Sequence, residues 1–158
     1  SEKLLKFFAE NKLKILILLG LISIIIFTLT FINLNEKNKN LLISEKYIEA
    51  GLHLRKGEEE KAKLLYEEIV LSKNKFYSAL ALNVILEKNL FSNDNKILDY
   101  FSLLEKVNFS NDQKDLLTFK KGLYLLKISK IEEGNLLLKN LIDSDSNYKT
   151  LAQEILKK

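Results

Sequence analysis

The chain of 158 residues contains no cysteine, methionine, tryptophan or proline, and only five glycines. Each absence closes off a class of explanation. Without cysteine there is no disulfide frame, no thiolate nucleophile and no thiolate metal ligand, and redox usage carries no information about compartment. The single histidine, His53, leaves any nucleophile without a recognisable activating base and any metal without a ligand set, so it reads as an ordinary surface or groove histidine. Glycines 20, 51, 57, 122 and 134 are too scattered to form a phosphate-cradling loop. The acidic run Glu58, Glu59, Glu60 reads as the solvated first turn of a helix, interacting with its dipole, rather than as a cation site.

Arginine is also nearly missing, since 24 of the 25 basic residues are lysine. With the excess of Asn, Ile and Leu, this points to a very AT-rich coding sequence, in which family motifs are expected in eroded form. Ser1 reads as a processed or trimmed start. Of the basic residues 21 follow position 35, against 19 acidic ones, and the two signs are interleaved, which gives no nucleic-acid footprint.

What the chain does have is a run of 21 residues without a charged side chain, 15–35, ILILLGLISIIIFTLTFINLN. At about 1.5 Å of rise per residue, a helix of this length covers a hydrocarbon core of roughly 30 Å. Its polar members, Gly20, Ser23, Thr28, Thr30 and Asn33, are small or terminal. A cleaved signal peptide would have a shorter apolar core and small residues at a cleavage site, whereas Phe31, Ile32, Asn33 and Leu34 follow here. A buried core helix would need apolar surroundings that the rest of the chain does not supply. The chain therefore divides into a basic leader (1–14), a transmembrane helix (15–35), a linker (36–44) and a domain (45–158). Lys3, Lys6, Lys12 and Lys14 precede the span, and Lys37, Lys39 and Lys46 follow it. The positive-inside bias therefore points to a cytoplasmic N-terminus and a domain outside the cytoplasm. Gly20 and Ser23 are three positions apart and make no GxxxG-type dimer face.

After residue 40 apolar positions recur at helical spacing, and no segment alternates as a strand would. Leu64, Leu65, Ile69 and Val70 form one stripe, Ile97, Leu98, Phe101 and Leu104 a second, and Leu137, Leu138, Leu141 and Ile142 a third. Turn and cap residues separate them, including a capping box of Ser110 with Gln113. Gly57, Ala62, Tyr66 and Ile69 are matched by Ser92, Ile97, Phe101 and Leu104 at an offset of 35, and those by Ser129, Gly134, Leu138 and Leu141 at a further 37. The pattern predicts three helical hairpins, each with a first helix (41–55, 76–90, 111–128) and a second (58–72, 94–107, 130–143). A last helix over 148–157 is expected to cover the open end with Leu151, Ile155 and Leu156.

On these residues the domain resembles the tetratricopeptide repeat family: a small residue five places after the turn glycine, a large ring four later, an apolar residue three beyond. Gly122 and Leu125 match the small-then-large pair of that family's first helix. Ile97 departs from the small residue the family uses, Glu49 and His53 stand at places usually apolar or aromatic, and no repeat ends in proline. The implied fold is all-α, an N-terminal transmembrane helix followed by a short tetratricopeptide-like α-solenoid of three hairpins plus a C-terminal capping helix. The whole layout, closing on Leu151-Ala152-Gln153-Glu154-Ile155-Leu156, resembles the proteobacterial ancillary SecYEG translocon subunit family. That resemblance implies a periplasmic domain at the inner membrane, contacting the Sec channel, emerging polypeptides and periplasmic chaperones.

In such repeats the first helices line the concave face. Carrying those positions over assigns a protein-binding groove to Tyr47, Leu54, Arg55, Leu82, Leu86, Asn89, Phe119, Leu123 and Lys127, suited to an amphipathic helix or an extended apolar segment. The same residues also fit a core, or a surface covered by the last helix. Asn83 and Lys120 stand at clamp-like positions, but Tyr47, Gly51 and Leu116 occupy the others, which argues against a carboxylate clamp. The expected function is a non-enzymatic, membrane-anchored interaction scaffold. Its partners are proteins and, through 15–35, the lipid bilayer, with no cofactor, metal, nucleic acid or small-molecule substrate. The alternative is a structural subunit packed inside a larger membrane complex.

Overall fold

The computed structural model describes residues 11–144 and 146–157, so Lys3, Lys6 and the rest of 1–10 lie outside the described residues. Among the described residues there are seven helices and no strand: α1 (Lys12–Arg55), α2 (Glu59–Leu71), α3 (Tyr77–Lys88), α4 (Asp94–Glu105), α5 (Asn111–Lys127), α6 (Ile131–Asp143) and α7 (Lys149–Leu156). Backbone contacts divide the chain into two units, one ending at Leu42 and one running Ile43–Lys158.

In the first unit, α1 is the one helix among the described residues long and apolar enough to cross a membrane, and nothing covers its most apolar stretch. Its hydroxyls do not compete with the helix. Ser23 donates to the Leu19 carbonyl at 2.9 Å, Thr28 to Ile24 and Thr30 to Ile26 at 2.7 Å, so these three hydroxyls are satisfied within the helix, as a hydrocarbon surrounding would require. Residues 36–44, expected as a linker, are helical. They contain neither Gly nor Pro, and Glu36, Lys37, Lys39, Leu41 and Leu42 are good helix formers.

In the second unit α2 to α7 begin and end within about two residues of the expected positions, whereas the first expected helix, 41–55, is the C-terminal part of the continuous α1. Ala62, Tyr66, Ile69, Ile97, Phe101, Leu104, Gly122, Gly134, Leu138 and Leu141 are all buried, as a packing stripe demands. They fall into two clusters. The larger runs from Ala50 to Tyr124, and the smaller joins Leu138, Leu141 and Ala152 to Phe119, Leu126, Ile142, Tyr148 and Ile155. Two expectations fail. Leu64 is 64 % exposed, because the inward face of α2 is set by Ala62, Tyr66, Ile69 and Val70. Of the three residues expected to cover the end, Leu151 and Leu156 are exposed and Ile155 packs, joined by Ala152 and by Tyr148 at the N-cap of α7.

Small residues mark the close crossings. Ser78 is fully buried, donating to the Ile69 carbonyl at 2.8 Å, and ties α3 to the end of α2. Gly122 and Gly134 let α5 and α6 approach until a Cβ on Gly134 would stand 2.9 Å from the Gly122 carbonyl oxygen and 2.8 Å from Leu126 Cδ2.

The turns repeat. Gly57 (φ +76°) and Ser129 (φ +64°) each take the left-handed conformation. Each is followed by an N-cap residue, Glu58 or Lys130, with the same φ −87° and ψ 63°. The hydrogen bonds match as well: Glu58 N–H donates to His53 O and Lys130 N–H to Leu125 O, both at 2.9 Å, and Gly57 and Ser129 donate to Leu54 O and Leu126 O at 3.1 Å. The middle turn starts the same way, with Asn89 at φ +50° and Leu90 N–H donating to Ile85 O at 3.1 Å. It then inserts Phe91, Ser92 and Asn93 before α4 begins. The residue equivalent to Gly57 is therefore Asn89 and not Ser92, because the sequence register, set by the buried residues of the second helices, passes over an insertion in the turn.

The glycines separate two opposite effects. Gly134→Ala is expected to force α5 and α6 apart and cost about 1–3 kcal/mol, more than the roughly 1 kcal/mol that alanine returns in helix propensity. At Gly51 a Cβ would meet only the Tyr66 hydroxyl, at an ordinary 3.7 Å. Gly51→Ala should therefore raise stability by about 0.5–1 kcal/mol. Thermal unfolding of the full chain in detergent, followed by near-ultraviolet dichroism of its tyrosines, checks both signs.

Candidate functional site

The inserted turn opens a cleft of about 200 Å³ between the end of α3, the start of α4 and the end of α5. Leu86 and Phe91 supply its accessible apolar surface over the buried Ile85 and Ile97, and Asn89, Ser92, Asp94, Tyr124 and Lys127 its polar groups.

Local chemistry holds each wall. Asn89 closes α3 in the left-handed conformation that asparagine tolerates better than most residues, with its N–H donating to Leu86 O. The side chain of Asn93 accepts from Lys96 N–H at 3.2 Å and so starts α4, which sets Asp94 and Ile97 at the cleft. From α5, the Tyr124 hydroxyl donates to Asp94 Oδ1 at 2.7 Å, and the Lys127 ammonium donates to Asn89 Oδ1. These two bonds strap α5 to either end of the inserted turn. Burial, and then the hydrogen bond to the Asp94 carboxylate, push the Tyr124 hydroxyl far above its usual range, so it remains a proton donor.

Phe91 is fixed from behind. Its ring meets Tyr100 edge-on at 5.7 Å, and the Lys96 and Lys63 ammonium groups stand 4.5 and 5.1 Å from its centroid. Glu67 of α2 anchors this arrangement, accepting from Lys96 Nζ at 2.7 Å and from the Tyr100 hydroxyl at 2.8 Å. Burial alone would raise the Glu67 carboxyl, but the ammonium and hydroxyl bonds outweigh it and hold the group below its ordinary 4.5.

Of the nine residues expected to line a groove, Leu86, Asn89 and Lys127 meet in this cleft. The other six do not join them. Leu82 is 2 % exposed and belongs to the core, a correction to its expected place on an open surface. Phe119 stacks on Tyr148, 5.4 Å between centroids, and sits in the smaller cluster, so the expected groove is not one surface. Tyr47 packs between Tyr66 and Tyr77, with centroids 5.7 and 5.6 Å away. Leu54 is half-buried against the larger cluster, Leu123 is half-buried, and Arg55 is exposed. Phe91, Asp94 and Tyr124 carry no motif that marks them, and Ser92 stands in the sequence only as a turn residue.

Two side issues resolve locally. His53 bonds Glu58 through Nδ1 and has Glu49 Oε1 3.6 Å from Nε2, pinning the last turn of α1 to the N-cap of α2. Lys120 donates to Asn83 Oδ1, whose amide donates to Glu87 at 2.6 Å, so the clamp-like pair is engaged within the domain. No cluster of metal-ligating side chains occurs among the described residues. Comparison of the chain with protein-family models, with curated proteins and with solved structures returned no match.

The Glu67 network has a pH signature. A carboxyl depressed by folding contributes stability above its ordinary range, and this is lost as pH falls through the depressed value. Glu67→Gln is expected to cost about 1 kcal/mol at pH 7 through loss of charge-assisted hydrogen bonds. The variant and the parent chain should converge below pH 4.5. Denaturant midpoints taken from pH 7 to pH 3 measure the convergence.

Proposed function

We propose that this chain is a non-enzymatic, single-pass membrane protein whose tetratricopeptide-like domain, three hairpins and a closing helix, binds protein partners at the periplasmic face of a bacterial inner membrane, beside the Sec translocon. The observation that carries the repeat reading is the close match of the turns at Gly57 and Ser129 in N-cap dihedral angles and hydrogen bonds. Such recurrence follows when one supersecondary unit is used again. The tether is the uncovered apolar stretch of α1. The translocon assignment rests on the resemblance of the whole layout, and the orientation on lysines 3, 6, 12 and 14.

A second reading, a structural subunit with no client cycle, is favoured by Leu82 and Phe119, which are filled from within the domain rather than left open. Crosslinking separates the two. A photoreactive side chain in place of Arg55, which is exposed, is expected to capture Sec channel subunits, chaperones or nascent polypeptide in native membranes if the first reading holds. Capture of one fixed neighbour, independent of export, supports the second. For topology, protease added to intact spheroplasts should digest residues 36–158 and spare the leader. Digestion only after lysis overturns the orientation.

A further inference from the structure

Single exposed apolar side chains are ordinary on a protein surface, but three fall together where α2 joins α3. Leu71 is 53 % exposed, Phe76 58 % and Leu80, one helical turn further on, 36 %. Two exposed lysines, Lys73 and Lys75, stand between the first two, and no acidic residue occurs from 69 to 86. Among the described residues neither ammonium makes an ion pair, and Glu68, the acid just upstream, is engaged by Lys46. We propose that this turn is a second membrane contact: Leu71 and Phe76 enter the interface of an anionic bilayer while Lys73 and Lys75 meet its phosphate headgroups. The proposal rests on the reading of α1 as a span and takes nothing from the translocon assignment.

The turn holds its shape without lipid. Lys73 takes the left-handed conformation at φ +55°. The Asn74 side chain accepts from the N–H groups of Phe76 and Tyr77 at 3.0 and 2.9 Å, and the Ser72 hydroxyl accepts from Asn74 N–H at 3.3 Å. From α5, the Gln113 amide donates to the Lys75 carbonyl at 3.2 Å. The Phe76 ring rests edge-on against Tyr77, 5.0 Å between centroids, with more than half of its surface left uncovered. A backbone fixed at this many points presents the ring outward, and binding has little of the protein left to order.

The covalent connection names the occupant. Tyr77 packs on Tyr47 at 5.6 Å and Lys46 bonds Glu68, so the turn stands at the end of the domain where α1 enters it. Ile43, where that unit begins, is eight positions after Asn35, where the uncharged stretch ends. Eight residues rise about 12 Å in a helix and reach at most about 28 Å in any conformation. A bilayer that holds 15–35 therefore stays close to this end of the domain at every angle the domain can take, and its effective concentration there is one a dissolved partner does not reach. The composition suits that surface. Aromatic rings settle at headgroup level, lysine stems lie along apolar surface with the ammonium in water, and anionic headgroups attract lysines within a Debye length of about 8–10 Å.

The chain has no tryptophan, so one introduced indole reports its own surroundings. The test places the full chain in nanodiscs of phosphatidylglycerol and phosphatidylcholine in equal parts, with lipids brominated toward the headgroup end of their acyl chains as contact quenchers. Phe76→Trp is expected to lose about half of its emission or more, and Leu136→Trp, 60 % exposed on α6, to lose none. In discs of phosphatidylcholine alone, or with Lys73→Gln and Lys75→Gln added, quenching of Phe76→Trp should fall at least about fivefold, the factor that one lysine near an anionic surface contributes. Should Phe76→Trp lower the denaturant midpoint, Leu80→Trp carries the same readout. Equal quenching of Phe76→Trp and Leu136→Trp, or quenching indifferent to lipid charge and to the two lysines, overturns the proposal. Phe31→Trp, near the end of the uncharged stretch, separates the two failures. If it is quenched while Phe76→Trp is not, the span stands and the second contact falls; if it also escapes quenching, the span reading itself falls.

Discussion

Every helix after α1 is between 8 and 17 residues long, and in water helices of that length have almost no stability of their own. Each exists only because one face is buried against a neighbour, and that requirement orders the rest of the domain. The inward residues occur at helical spacing, the turns are short, and the places of closest approach carry side chains that do not obstruct it. Gly122 and Gly134 at the crossing of α5 and α6 are the extreme case, and Ser78 on α3, with its hydroxyl on the Ile69 carbonyl, is another. A serine buried to that degree is acceptable because its donor is satisfied.

A chain poor in glycine still has to reverse direction after each helix. After α1, α2, α3 and α5 it does so with Gly57, Lys73, Asn89 and Ser129 in the left-handed region. Non-glycine residues accept that conformation at some energetic cost, offset here by the hydrogen bonds that close each helix and by the packing that follows. Composition and structure thus compete locally, and packing prevails.

The cleft stands where this economy is relaxed. Between α3 and α4 the turn carries three residues beyond what the turns after α1 and α5 use, and a network fixes it: Glu67 to Lys96 and Tyr100, these to Phe91, Tyr124 to Asp94, and Lys127 to Asn89. Surface ion pairs alone contribute little to stability. These are half-sheltered and shared among aromatic rings, so their main effect is geometric: they keep an irregular segment in one shape.

The sequence by itself determined the apolar span, the all-helical character, the boundaries of α2 to α7 to within about two residues and most of the buried positions from Ala62 to Leu141, but not the continuity of α1 through 36–44. Those features follow from periodicity and capping, which are local. It did not determine which apolar residues face the core and which face water where both lie on the same broad stripe. Leu82 and Phe119 read as groove residues and are covered, while Leu64, Leu151 and Leu156 read as packing residues and are exposed. It placed Leu86, Asn89 and Lys127 on one face but gave no place there to Asp94 and Tyr124, which are 30 positions apart. Only the tertiary structure brings such pairs together, since their meeting depends on how α5 lies against the inserted turn, and no short-range pattern encodes that.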